Sequence, residues 1–254
     1  MQFPRRDVEG KVAIVIGASR NIGRVLALGL AEAGADVVVA SRSARELEAV
    51  AEEIRGMGRQ ALAHPMDVTR AEEIRSMADA AVAKFGRIDI LLNNAGVAPH
   101  KPVLDMTEEE WDFVLDTNLK SCFLACRAVG RFMVGQRKGK IINISSTFGL
   151  VGFGNMSSYC ASKGGVGQLT KALAIEWGPF NVNVNAIAPA ATRTSINTER
   201  FKNEEWRKWM LDRLPLKKFC QPEDLVGAAV FLASDASDMV TGITLPVDGG
   251  WTAW

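Results

Sequence analysis

The sequence predicts an α/β protein, a single doubly wound domain whose parallel sheet of about seven strands carries helices on both faces. Three observations predict it. Short β-branched runs alternate with segments of helical period along almost the whole chain. The first such run leads directly into the turn Gly17-Ala18-Ser19-Arg20-Asn21-Ile22-Gly23, and a helical pattern follows it. No linker, internal repeat or low-complexity stretch divides the 254 residues, so 1–254 reads as one unit.

Taken in order, residues 11–16 are the first strand, and the helical pattern 24–33 stops at Gly34. Residues 36–40 are the second strand, followed by a charged helix over 44–55 that ends at Gly56 and Gly58. A third strand (60–66), a third helix (70–85) and a fourth strand (88–92) continue the rhythm. Residues 107–134 read as one long helix, opened by Thr107 and Glu110 as a capping box. Strand 140–144, helix 157–177, strand 182–187, helix 225–233 after Pro222 and a short strand 243–247 complete the series. Only residues 190–219 break the alternation. In such a sheet, ligands bind at the carboxyl ends of the strands.

Composition excludes several functions. A hydrophobic content of 48% supports a substantial core, and 30 basic against 29 acidic residues leave +1, with no general pull toward nucleic acid or anionic membrane. The four cysteines (Cys122, Cys126, Cys160, Cys220) show no paired framework, and with two histidines in the chain no zinc site is expected. Arg5 and Arg6 are followed by Asp7 and Glu9 rather than by an apolar stretch. The expectation is therefore no signal peptide, no membrane span and a reducing cytoplasm.

The glycine turn has the spacing of a dinucleotide site, where a pyrophosphate rests on the next helix N-terminus. Asn21 stands where a middle glycine is expected, and asparagine tolerates the left-handed conformation such a turn needs. An NAD site wants a carboxylate at the end of the second strand, but here Ala40 runs into Ser41 and Arg42. Arg20 and Arg42 suit a 2′-phosphate, which favours NADP(H) while leaving NAD(H) open. The alternative is two solvated loop arginines. Asp67, after the third strand, suits an adenine amino group, or else caps the following turn.

Tyr159 is the single tyrosine of the chain and stands four residues before Lys163. On a helix the two share one face, and an ammonium beside a phenol favours the ionised form. Lys163 is thus expected to depress the Tyr159 pKa. Read alone, the pair is equally an ordinary aromatic with a lysine one turn on.

Ser146 lies thirteen residues before Tyr159, in Ile142-Asn143-Ile144-Ser145-Ser146, and Asn93-Asn94-Ala95-Gly96 follows the fourth strand. With these in place the chain resembles the short-chain dehydrogenase/reductase family over nearly its whole length, which implies a Rossmann-type fold. The resemblance assigns the catalytic serine, tyrosine and lysine to Ser146, Tyr159 and Lys163, and the helix asparagine to Asn118. It implies that Ser146 orients the substrate oxygen, Tyr159 exchanges its proton, Lys163 tunes the phenol and binds ribose, and Asn118 holds a water. It runs the cofactor along Gly17, Ser19, Arg20, Asn21, Ile22 and Gly23, then Ser41 and Arg42, Asp67 and Val68. The remaining cofactor contacts it implies are Asn94, Ala95, Gly96, Tyr159, Lys163, Pro189, Thr192 and Thr194, with Thr194 at the carboxamide. A homotetramer built through helices 107–134 and 157–177 is implied too, and Trp251 and Trp254 suit a buried subunit contact.

Three positions depart from the family pattern. Ile16 replaces a usual threonine, Asn21 a glycine, and Ala190 the glycine of a Pro-Gly pair. Alanine resists positive φ, so the loop after Pro189 is expected to run differently or to narrow the pocket.

Residues 190–219 are the expected substrate lid. They hold eight basic residues (Arg193, Arg200, Lys202, Arg207, Lys208, Arg213, Lys217, Lys218) against four acids, or +4 in a chain whose total is +1. Trp206, Trp209, Met210 and Leu214 fall at helical spacing, giving an apolar underside. The charge suits an anionic substrate, or is simply a solvated helix face. Nearer the chemistry, Phe148, Leu150, Val151, Phe153 and Met156 form an apolar wall, and His100 reads as a loop residue. Within the family, the chain is similar to gluconate-type sugar-acid dehydrogenases and to 3-oxoacyl carrier-protein reductases. The first implies a small ketone/alcohol substrate. For the second, Arg137, Lys138 and Lys140 suit docking of an acidic carrier protein, or only a helix C-terminus. A third reading, a catalytically silent nucleotide-binding regulator, would require loss of Tyr159 or Lys163, and neither is lost.

Overall fold

The computed structural model describes residues 7–194 and 197–253. Seven parallel strands form one sheet: β1 (Val12–Ile16), β2 (Asp36–Ser41), β3 (Ala61–Pro65), β4 (Ile90–Asn93), β5 (Gly139–Ile144), β6 (Val182–Pro189) and β7 (Thr244–Val247). Their order is β3-β2-β1-β4-β5-β6-β7. The central strands β1, β4, β5 and β6 are buried at every position, which explains the continuous apolar run of β1, while buried Lys140, Asn143, Asn183 and Asn185 interrupt β5 and β6. Only the edge strands β3 and β7 are half-buried.

Helices α1 (Asn21–Glu32), α2 (Ala44–Gly56), α3 (Ala71–Phe85), α4 (Glu108–Leu115), α5 (Ser121–Gln136), α6 (Ser157–Trp177), α7 (Thr198–Lys202), α8 (Glu204–Arg213) and α9 (Val226–Ala233) accompany the sheet. Successive strand residues feed two separate cores. Ala13 and Val15 pack with α1, α2 and α9, whereas Ile14 and Ile16 pack with α3, α5 and α6. Each fully buried Ile or Leu contributes about 1.5–3 kcal/mol, so both faces of the sheet are firmly covered.

The single helix expected over 107–134 is interrupted. The Thr107–Glu110 capping box opens α4 as expected, but Asp116–Lys120 is a π-helical turn between α4 and α5. Helical periodicity in sequence does not register one inserted residue, and such turns gather at functional sites. The lid region also differs, being two short helices, α7 and α8, rather than one. Met210 and Leu214 are buried as the spacing implied, while Trp209 remains 39% exposed.

The chain reverses direction across the sheet between β1 and β4, so a crevice opens beyond their carboxyl ends. The Gly17 turn and the Asn94–Gly96 segment face each other there. Among the described residues no helix is long and apolar enough to cross a membrane.

Candidate active site

The segment after β5 and the start of α6 bring Ser146, Tyr159 and Lys163 together. Ser146 lies two residues past β5 in extended conformation, and its Oγ accepts a hydrogen bond from Phe148 N at 3.2 Å, which caps the short turn Thr147–Gly149. Tyr159 lies in the first turn of α6 and Lys163 in the second. The Ser146 hydroxyl stands close enough to the Tyr159 phenol to favour its ionised form. Lys163 Nζ stands 5.9 Å from the Tyr159 ring centroid and donates to Ile144 O at 2.7 Å. Ser145, which the sequence reading passed over, holds the same helix from below by donating to Lys163 O at 2.9 Å.

The pKa expectation for Tyr159 is overturned. Burial lifts the phenol above its ordinary value, and the neighbouring Ser146 hydroxyl opposes this without reversing it. Burial also pulls Lys163 from 10.5 down to about 8. The reason is mutual: the pocket that brings the ammonium to the phenol also dehydrates it, so it cannot act as a strong fixed charge. The two groups therefore move apart in acidity, the Lys163 ammonium becoming the stronger acid of the pair.

Asn118 sits in the π-helical turn and is buried. Its Oδ1 accepts from Val97 N at 2.8 Å, and its Nδ2 donates to Val97 O at 2.9 Å and to Ser162 Oγ at 3.0 Å. It therefore ties the segment after β4 to α6. A small cavity of about 10 Å³, room for about one water, lies against its side chain.

These groups open onto one cleft of about 1000 Å³. Of the residues singled out from sequence, Gly17, Ser19, Arg20, Asn21, Ile22, Ser41, Arg42, Asp67, Val68, Asn94, Ala95, Gly96, Ser146, Tyr159, Lys163, Pro189, Thr192 and Thr194 all line it. Gly23 and Asn118 do not; they lie behind the wall and shape it. A Cβ on Gly23 would stand 2.0 Å from Gly17 O, so only glycine permits this turn. Asn94 Nδ2 donates to Gly17 O at 3.0 Å and locks the two loops together. A Cβ on Gly96 would come within 3.5 Å of Lys163 Nζ and 3.2 Å of Asn118 Oδ1, which keeps the floor of the cleft open.

The cleft suits a dinucleotide. Asn21 has φ 51°, the left-handed conformation expected of it. Helix α1 carries no acid in its first turn and no side-chain cap, so its amide end faces the cleft with its positive charge unopposed. At the end of β2, Ser41 Oγ is buried with no hydrogen-bond partner among the described residues. Arg20 and Arg42 beside it form no ion pair among the described residues. Asp67 Oδ1 accepts from Thr69 N at 2.9 Å and Thr69 Oγ1 at 2.7 Å, and these bonds hold its carboxyl below the usual range.

At the other end, Thr192 Oγ1 donates to Ala190 O at 3.0 Å, and Thr194 donates through N and Oγ1 to Asn197 Oδ1 at 3.0 and 3.2 Å. Ala190 is not among the residues with positive φ, and its N–H donates to Val247 O at 3.3 Å. The loop does run without the turn a glycine would allow.

Two further expectations need correction. Leu150 and Val151 point to solvent, 45% and 38% exposed, and take no part in the wall that Phe148, Phe153 and Met156 form. Lys140 offers no docking surface. It is buried at the start of β5, donating to Asn183 Oδ1 at 3.0 Å and Asp238 Oδ1 at 2.7 Å, at the opposite end of the sheet from the cleft. Trp251, half-buried, also packs 6.3 Å from Phe148 and 6.0 Å from Trp209 between ring centroids; Trp254 lies outside the described residues. Sequence reasoning also passed over Arg200 as an individual and undervalued His100, although both line the cleft.

Residues 17–252 match the family model described as enoyl-(acyl carrier protein) reductase. The chain is 43% identical to 2-dehydro-3-deoxy-D-gluconate 5-dehydrogenase of Escherichia coli K12 over 97% of both chains. The chain belongs to the short-chain dehydrogenase/reductase family. Within that family it is 38% identical to a 3-oxoacyl-[acyl-carrier-protein] reductase of Thermotoga maritima, over 96% of this chain and 98% of the relative. A gluconate 5-dehydrogenase from Burkholderia cenocepacia, solved in complex with NADP and tartrate, superposes with a TM-score of 0.95. It shares 36% identity over 99% of this chain and 98% of its own. The seven-stranded parallel sheet is thus the Rossmann-type sheet of the short-chain dehydrogenase/reductase family.

Proposed function

We propose that this protein is an NADP(H)-dependent oxidoreductase that interconverts a secondary alcohol and a ketone on a small sugar acid. The observation that carries the reading is the meeting of Ser146, Tyr159 and Lys163 in one cleft with the Gly17 turn. When bound, the nicotinamide supplies or accepts the hydride. Ser146 donates a hydrogen bond to the substrate oxygen and holds it against the phenol. Tyr159 gives its proton to that oxygen in reduction and takes it back in oxidation. Lys163, with a pKa of about 8, is close enough to neutrality to resupply that proton, and Asn118 fixes the helix turn beside it. Arg20, Ser41 and Arg42 hold the 2′-phosphate, with Arg guanidinium forks matched to phosphate oxygens.

The sugar-acid assignment draws on the relatives named for gluconate chemistry and on the tartrate-bound neighbour. Residues 190–219 form the lid in this reading. Phe123 and Ile175, 42% and 80% exposed on α5 and α6, support assembly of a tetramer through these helices. For a carrier-protein substrate, burial removes Lys140 from the expected docking surface, while Arg137 and Lys138 remain exposed.

The test is to incubate purified protein with NADPH and a panel of ketones, including 5-keto-D-gluconate and a carrier-bound 3-oxoacyl group, while following nicotinamide absorbance. Oxidation with the keto sugar acid supports the proposal. Oxidation with the carrier-bound group alone would replace the substrate assignment, and none with any ketone would favour a silent nucleotide-binding protein.

A further inference from the structure

We infer that Arg200 binds the carboxylate of the substrate and so sets the preference for sugar acids over neutral ketoses. The inference rests on the sugar-acid reading above. Of the basic residues in 190–219 that the structure describes, Arg200 is the one that lines the cleft. Neighbouring cations are already matched: Lys202 pairs with Glu199 and Lys101 with Glu110, each at 2.6 Å. Arg200 forms no ion pair among the described residues. Its guanidinium lies instead against two aromatic faces, 5.2 Å from the Trp206 centroid and 5.9 Å from that of Phe153. Those rings hold the planar fork in place and strip part of its water while leaving its donors usable. A partly dehydrated cation without a counter-ion is stabilised by an arriving carboxylate, most of all through a two-point contact.

Position supports the assignment. The Phe153 ring stacks on Phe148 with centroids 4.3 Å apart, and Phe148 N donates to Ser146 Oγ. One wall therefore runs from Ser146 to Arg200. A linear keto acid lying along it presents its ketone to Ser146 and Tyr159 at one end and its carboxylate to Arg200 at the other. His100, from the loop after β4, is the second polar group near that end. Burial, and then the Arg200 charge, lower its pKa, so at neutral pH it offers a hydrogen bond without a second charge. A neutral ketose gains nothing from Arg200, whereas a sugar acid completes it.

The test compares 5-keto-D-gluconate with L-sorbose, the ketose in which CH2OH replaces the carboxylate, in wild-type enzyme, Arg200→Gln and Arg200→Lys. Loss of a charge-assisted contact should raise KM for the keto acid about tenfold or more in Arg200→Gln, with kcat within a few-fold and KM for sorbose unchanged. Arg200→Lys should recover part of the loss. Calorimetric titration of tartrate into the NADP-loaded protein needs no turnover, and its binding should weaken in Arg200→Gln by a similar factor. Unchanged tartrate binding, or an equal loss of kcat/KM for both ketones, overturns the role of Arg200. Failure of the wild-type enzyme to reduce either ketone would instead sink the sugar-acid reading, and the tartrate titration would still judge Arg200.

Discussion

Replacing Lys163 with methionine should produce a stability difference from wild type that depends on pH in a defined direction. Lys163 titrates at 10.5 in the unfolded chain and at about 8 in the folded one, a gap worth about 3 kcal/mol at roughly 1.4 kcal/mol per unit. Its folded value is depressed, so between those values the unfolded chain binds the extra proton. Raising the pH therefore stabilises the fold, and the cost of burying the ammonium is felt in full only below about pH 8. Methionine keeps the length of the side chain and removes the titration. It also strands Ile144 O, which accepts from Nζ at 2.7 Å, but that cost of about 1–3 kcal/mol does not vary with pH. Tyr159, with its pKa raised, stays protonated below about pH 9.5 in both proteins and cancels. From about pH 7 to about pH 9.5, wild type should gain about 2 kcal/mol relative to Lys163→Met. Urea unfolding of both proteins without cofactor, at one fixed protein concentration, measures it. A difference that stays constant over this range, or moves the other way, would mean that Lys163 keeps an ordinary charge, and the account of the buried pair would be wrong.

Other consequences are simpler to read. Tyr159→Phe should abolish ketone reduction while NADPH binding, followed by nicotinamide fluorescence, stays within a few-fold, because the phenol oxygen serves the substrate. Removing both Arg20 and Arg42 should raise KM for NADPH about tenfold and leave KM for NADH nearly unchanged; equal losses for both cofactors would argue against a 2′-phosphate site. Gly23→Ala puts a methyl 2.0 Å from Gly17 O and should abolish NADPH binding even if circular dichroism remains native.

The fold was legible because its signals are local and repeated. The continuous apolar run of β1 reads as a strand buried on both faces, and the Thr107–Glu110 capping box marks a helix start without any knowledge of neighbours. What sequence could not show was a matter of one residue or of direction. The π-helical turn at Asp116–Lys120 leaves the apolar period almost untouched, yet it helps seat Asn118 between Val97 and Ser162. Lys140 looked like surface charge because a lysine is usually solvated; only the fold reveals Asp238 and Asn183 waiting for it. The lid charge was read as a sum, while the cleft meets a single member of it. No count of lysines and arginines separates Arg200, laid against Phe153 and Trp206, from Lys202, neutralised by Glu199.

The site's acid–base pair shows the same limit at the level of chemistry. The spacing of Tyr159 and Lys163 correctly brings the two side chains together, but proximity does not decide which pKa moves. A solvated lysine would act as a fixed cation and pull the phenol down. Here Gly96 leaves room above Nζ, Ile144 O accepts a hydrogen bond from it, and the surrounding core removes water from both partners. Burial penalises ammonium and phenolate alike, so lysine falls while tyrosine rises. In the proposed reaction a proton that Tyr159 gives to the substrate is replaced from Lys163 at little cost, since the ammonium is the stronger acid of the two. Dehydration thus sets a one-way gradient from ammonium to phenolate, and in the proposed reaction it favours resupply of the phenol proton over its loss to Lys163.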